Sequence, residues 1–147
     1  MYANDQENDA MRLIDEHSGL EMLSREECLR LLGAAAVGRL VVSGSGTPDI
    51  FPVNFELDGD RVVFRTAAGR KHADGPRGSV LFEVDGTYDA ARSGWSVVVH
   101  GWLEEVEGEV GRSLADAMGV DPWAVGPKGH VMRLNPTTIT GRRVGPD

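Results

Sequence analysis

One cysteine, Cys28, stands in 147 residues, so no disulfide can form within the chain. That suits a reducing compartment, and a cytoplasmic protein is the expectation. Basic residues are also scarce: 15 Lys and Arg against 23 Asp and Glu give a net charge of −8. A nucleic-acid partner is excluded on that balance, because a polyanion is held by neutralising its phosphates with cations. No run approaches the roughly 18 apolar residues that a membrane-crossing helix needs, so no membrane partner is expected. The first residues, Met1-Tyr2-Ala3-Asn4-Asp5-Gln6-Glu7-Asn8-Asp9, are polar and acidic, unlike a secretory leader. His100 and His130 have no partner at metal-ligand spacing, so no metal site is read. Internal repeats, low-complexity tracts, a Ser-His-Asp or Cys-His arrangement and paired catalytic carboxylates are also absent.

What is present is an ordinary globular composition, 41% hydrophobic and 26% charged. The length allows one domain with a real core. Residues 1–22 read as an acidic, mobile arm and 23–147 as the single folded domain. Ser24-Arg25-Glu26-Glu27 has the form of a capping box. Leu29, Leu32 and Ala36 follow at helical spacing, which predicts a helix from about Ser24 to Ala34. Strand signals then dominate: Val37–Val42, Asp49–Leu57, Arg61–Thr66, Val80–Val84 and Trp95–Val106. Asp58-Gly59-Asp60 predicts a tight hairpin, and Gly101 a bulge within the longest strand. Val110, Leu114, Ala117 and Met118 place a second amphipathic helix over Gly108–Met118. Val131–Leu134 and Thr138–Arg143 read as two more strand pieces around Asn135-Pro136. About six strands joined mostly by short turns predict a closed barrel, because closure removes exposed edges.

The scarce cations cluster in one place. Arg65, Thr66, Arg70, Lys71 and His72 lie together, with Gly69 allowing the chain to turn between them. A guanidinium fork, an ammonium and a hydroxyl together suit a terminal phosphate. On composition alone the segment reads equally well as a solvated basic loop.

The order of segments carries more. Pro52-Val53-Asn54-Phe55, Asp58-Gly59, Phe64-Arg65-Thr66-Ala67-Ala68-Gly69-Arg70-Lys71, Phe82-Glu83-Val84-Asp85 and Gly94-Trp95-Ser96-Val97-Val98-Val99-His100-Gly101 follow one another at short spacings. Between about Leu23 and Val144 the chain resembles the pyridoxamine 5′-phosphate oxidase-like FMN-binding split barrels, in particular their small actinobacterial branch. The resemblance implies a mainly β fold: a six-stranded antiparallel split β-barrel of Greek-key form with two or three accessory helices. It also implies a homodimer with two flavin sites at the subunit interface. By resemblance, Arg65, Thr66, Arg70 and Lys71 hold the FMN phosphate. Pro52, Val53 and Asn54 lie along the isoalloxazine, and Trp95 with Ser96 reaches the ring system. Read without the resemblance, Pro52 is an edge-strand proline, Asn54 a residue bonding its own backbone, and Trp95 a core or interface side chain. Arg39 is either a snorkelling surface residue or an interface contact.

The resemblance is to the fold and cofactor class, not to the vitamin-processing enzymes themselves. Those carry an Arg-x-His segment near the C-terminus, where this chain has Gly141-Arg142-Arg143-Val144-Gly145-Pro146-Asp147. The implied function is an FMN-dependent oxidoreductase acting on a small-molecule electron donor or acceptor. The alternatives are a reductase using a deazaflavin cofactor, and a protein that binds or stores flavin without turnover. In such enzymes the cofactor does the redox chemistry, so a missing catalytic side chain argues against none of these.

Overall fold

The computed structural model describes residues 13–14, 20–43, 46–66, 79–88, 92–118 and 130–145. Among them are nine strands and two helices: β1 Leu13–Ile14, β2 Glu21–Leu23, α1 Arg25–Ala34, β3 Val37–Val42, β4 Asp49–Asn54, β5 Glu56–Asp58, β6 Arg61–Thr66, β7 Ser79–Thr87, β8 Gly94–Glu105, α2 Gly108–Met118 and β9 His130–Val144. Six of the strands are long, and these are the six of the expected split barrel. The other three are two- or three-residue additions.

All pairing is antiparallel, in the order β1-β2-β9-β8-β7-β3-β4, with β6 joining β9 and β5 joining β6. β9 is the spine. One of its edges pairs with β8 along nearly its whole length, while the other takes β2 at Gly141–Arg143 and β6 at His130–Leu134. The two C-terminal pieces expected around Asn135-Pro136 are therefore one strand. Its register shifts opposite His100 and Gly101, where Gly101 pairs with Pro136 and His100 with Thr138. Proline has no N–H for the ladder, and a bulge is where a sheet tolerates that. A Cβ on Gly101 would collide with the Asn135 carbonyl, so the bend needs the glycine.

Alternation of burial along β3 and most of β7 and β8 separates two faces, while β6 buries Val62, Val63 and Phe64 in succession. Leu40, Val53, Phe55, Phe82, Val84, Val97 and Val99 point into the barrel, together with Val62, Phe64, Leu103 and Leu134. Helix α1 contributes Cys28, Leu31 and Leu32 to this core. A second cluster, Val63, Val131 and Met118 with Leu114 beside them, joins α2 to β6 and β9. No described helix is long and apolar enough to cross a membrane.

Candidate functional site

The outer face of the β4-β3-β7-β8 sheet is unlike the core face. Continuing the alternation, it presents Pro52 and Asn54 on β4, Arg39 on β3, Glu83 and Asp85 on β7, and Ser96 on β8. Register brings them together, because Pro52 faces Arg39, Arg39 faces Glu83, and Asp85 faces Ser96. Pro52 is exposed, Asn54 is half-buried, and Val53 between them is buried in the core. β4 ends the strand order, so its far edge lies outside any ladder among the described residues.

Arg39 bridges the two acids. Its Nη2 lies 3.0 Å from Glu83 Oε1 and also contacts the Asp85 carboxylate. Ser96 Oγ donates to Glu83 Oε2 at 3.3 Å. Burial first, and then the neighbouring Asp85, pushes the Glu83 carboxyl above the ordinary carboxylate range. The hydrogen bond from Glu83, and then Arg39, holds Asp85 below it. Burial and mutual contact thus push the acidities of the two neighbouring carboxyls apart, with Arg39 between them. Both line a pocket of about 630 Å³ at the β7–β8 hairpin, along with Tyr88, Arg92 and Trp95. Trp95 itself has an inward orientation: it packs on the core, and its ring covers Gly86.

Arg65 and Thr66 lie elsewhere. They end β6, where Thr66 is buried and pairs with His130, and Arg65 pairs with Val131. His130 is held by the Glu105 carboxylate through Nδ1. Arg70, Lys71, His72 and Trp123 fall outside the described residues. The structure thus brings Pro52, Asn54 and Ser96 onto one face and sets Arg65 and Thr66 at the other end of β9. It gives Trp95 a core contact as well as a place at the pocket. Two groups escaped the reading of the sequence: the Arg39-Glu83-Asp85 cluster, and the Glu105–His130 pair. Alternation put Glu83 and Asp85 on one face from the start; only register supplies Arg39. Among the described residues, no group of His, Cys, Asp and Glu could hold a metal ion.

The family model described as pyridoxamine 5′-phosphate oxidase matches residues 24–143. An uncharacterised Mycobacterium tuberculosis protein is 32% identical over 131 residues, covering 85% of this chain and 86% of that one. The structure of the FAD binding protein from Mycobacterium smegmatis is 40% identical with a TM-score of 0.66, covering 84% of this chain and 96% of the other. A putative pyridoxamine 5′-phosphate oxidase from Corynebacterium glutamicum is 36% identical with a TM-score of 0.70, covering 84% and 91%.

Proposed function

The chain belongs to the pyridoxamine 5′-phosphate oxidase family, and from that premise we propose that it is a flavin-nucleotide-binding oxidoreductase whose sites are shared between the two chains of a homodimer. One observation carries the cofactor class: 40% identity over 84% of the chain to a protein described as FAD-binding. The site residues fit a flavin. β4 ends the strand order among the described residues, beside exposed Pro52, and such an edge suits the hydrogen-bonding pyrimidine edge of the isoalloxazine. Asn54, with Val53 behind it, would add an amide that both donates and accepts. Thr66 and Arg65, with Arg70 and Lys71, would take the phosphate next to the ribityl chain, and Trp95 and Ser96 would approach the ring. A bound flavin would supply two-electron redox chemistry, while these residues hold it, orient it and exclude water from it.

The sharing between chains rests on register. Thr66 pairs with β9 at His130 and Ser96 pairs with it at Arg142, twelve residues further on. At about 3.3 Å per residue that is about 40 Å of strand contour, more than riboflavin phosphate spans. Two copies related by a two-fold axis bring unlike ends of a strand together. FMN, the unit common to both flavin nucleotides, is the minimum ligand. The Mycobacterium smegmatis protein favours a second reading in which the ligand is FAD.

The mass of the small molecule released on denaturation tests the cofactor and separates FMN, FAD and a deazaflavin. Replacing Lys71 by Ala is expected to weaken FMN by about 1.5–3 kcal/mol, the range of a charge-assisted hydrogen bond, and to leave riboflavin affinity unchanged. Equal loss for both ligands would place the effect on folding. Oxidation of a reduced nicotinamide with a panel of acceptors distinguishes turnover from storage.

A further inference from the structure

The outer face of the β4-β3-β7-β8 sheet, where it continues into β9, carries apolar side chains as well as the charged cluster. They join in register across the strands: Ile50 pairs with Val41, Val41 with Leu81, and Leu81 with His100. Trp102 stands one outward position further along β8, opposite Ser79. Ile50 is 57% exposed, Trp102 41% and Leu81 36%, and exposed Pro52 extends the patch along β4. A sheet face turned to water is normally polar, so a contiguous apolar patch marks a surface that something covers. Around Val63 and Val131 the corresponding side of β6 and β9 already has its cover in α2.

We infer that a second copy of this chain covers the patch, and that this partner walls in the ring end of the flavin site. Size favours a whole protein surface. The face is five strands wide and about four outward positions long, or about 20 Å each way between backbone atoms. With the side chains at its margins that is about 500 Å² on each copy and about 1,000 Å² for the pair, which reaches what a specific interface requires. A two-fold axis lying between the two faces sets the apolar row of one copy against that of the other, so the same residues serve both sides. Charge argues in the same direction. Arg39 and Glu83, paired with each other, sit in the outward row next to the apolar one. Acyl chains would bury that pair in hydrocarbon, whereas a protein surface meets it with polar groups of its own.

Asn54 and Ser96 border the same face, so a partner seated on the apolar row comes up against the ring end and excludes water from it. The position of the interface stands on the face alone. Only the partner's share in the site rests on the flavin reading.

Light scattering of the wild type is expected to give twice the 15.8 kDa chain mass. Ile50→Glu and Leu81→Glu each place a carboxylate where the apolar rows meet. Each should weaken the dimer about hundredfold or more and give the single-chain mass at about 10 µM. Both side chains point away from the barrel, so circular dichroism should match wild type. Leu81→Ser is uncharged and suits a solvent-facing strand; it should weaken the dimer about tenfold and serves as the test if a charged variant does not fold. Val110→Glu, on α2 and 60% exposed, should stay dimeric. Folded variants that all keep the wild-type mass overturn the inference. A monomeric wild type also overturns it, and retention on phosphatidylcholine vesicles would then give the face to lipid. A monomeric variant that holds flavin as tightly as wild type overturns the partner's share in the ring end. A dimeric wild type that releases no flavin on denaturation overturns the flavin reading instead and leaves the interface standing.

Discussion

Gly38 on β3 faces the barrel interior, where the aromatic ring of Phe82 fills the space a side chain would use. A Cβ there would meet ring atoms at 2.6 and 2.9 Å, well inside contact distance. The ring cannot simply move, since it is fully buried and packs edge-on against Phe55, with centroids 4.8 Å apart at 74°. Gly38→Ala is therefore expected to cost about 1–3 kcal/mol through overpacking. Phe82→Leu in the same chain should return part of that loss, because a smaller side chain vacates the ring's position. Urea denaturation of the two variants checks it; equal stability would mean the ring has room to shift. On the opposite face, Arg39 sets a pH dependence. Asp85 is lowered, so its contribution to stability exists above the ordinary carboxylate pKa and is lost as pH falls. Glu83 is raised, so its contribution exists below that pKa and is lost as pH rises. Arg39→Leu removes the cation that both acids contact and leaves two adjacent carboxyls with only each other. The loss should be about 1 kcal/mol for this half-exposed cluster. It should be larger at pH 7, where both acids tend to ionise, than at pH 4. Thermal melts at the two pH values measure the difference, and a loss independent of pH would contradict it.

Among the elements, α1 shows how a local signal becomes structure. Ser24 caps it, its Oγ accepting from the Glu27 backbone N–H at 3.2 Å. The reciprocal half of the capping box is diverted: the Glu27 carboxylate takes the Arg30 guanidinium, with Nε at 2.9 Å. That hydrogen bond is what holds Glu27 below the usual carboxylate range. Because the Ser24 hydroxyl still satisfies an otherwise unpaired helix N–H, Ser24→Ala is expected to cost about 1 kcal/mol. Chemical denaturation reads this directly, and a neutral effect would show that the core contacts of Cys28, Leu31 and Leu32 fix the helix start without the cap. The features legible in the sequence are of this local kind. Capping chemistry, the existence and bounds of α2, the Asp-Gly hairpin at Gly59 and the glycine bulge at Gly101 all act within a few residues, although the buried face of α2 is Gly111, Leu114, Ala115 and Met118, with Val110 and Ala117 exposed. What pairing over distance decides was not legible. Pro136 looks like a strand breaker until β8 supplies the bulge that accommodates it. Glu21–Leu23 becomes a strand only because β9 runs past it. The site divides in the same way. The outward alternation of Pro52 and Asn54 is local, whereas the ion pairs of Glu83 and Asp85 need Arg39 brought alongside from a strand more than forty residues earlier.

For the whole molecule, the arrangement of β9 turns the shared-site reading into an assembly test. If a flavin takes its phosphate contacts from one chain and its ring contacts from the partner, each site needs both ends of β9, one from each chain. Lys71→Glu should then spoil the phosphate end, and Ser96→Trp should block the ring end from the outer face. Each variant alone forms dimers with two defective sites. A mixed dimer concentrates both defects in one site and leaves the other intact. With equal expression and random pairing, about half the dimers are mixed, so about a quarter of all sites should bind flavin with wild-type affinity. Light scattering of each preparation should give twice the 15.8 kDa chain mass. Fluorescence titration of the co-expressed pair then counts the tight sites. A site built within one chain predicts none, whatever the dimer mass, since every chain in the mixture carries a lesion. Recovery of tight sites in the co-expressed sample, but not after mixing the two purified homodimers under non-exchanging conditions, would assign the phosphate and ring contacts to different protomers.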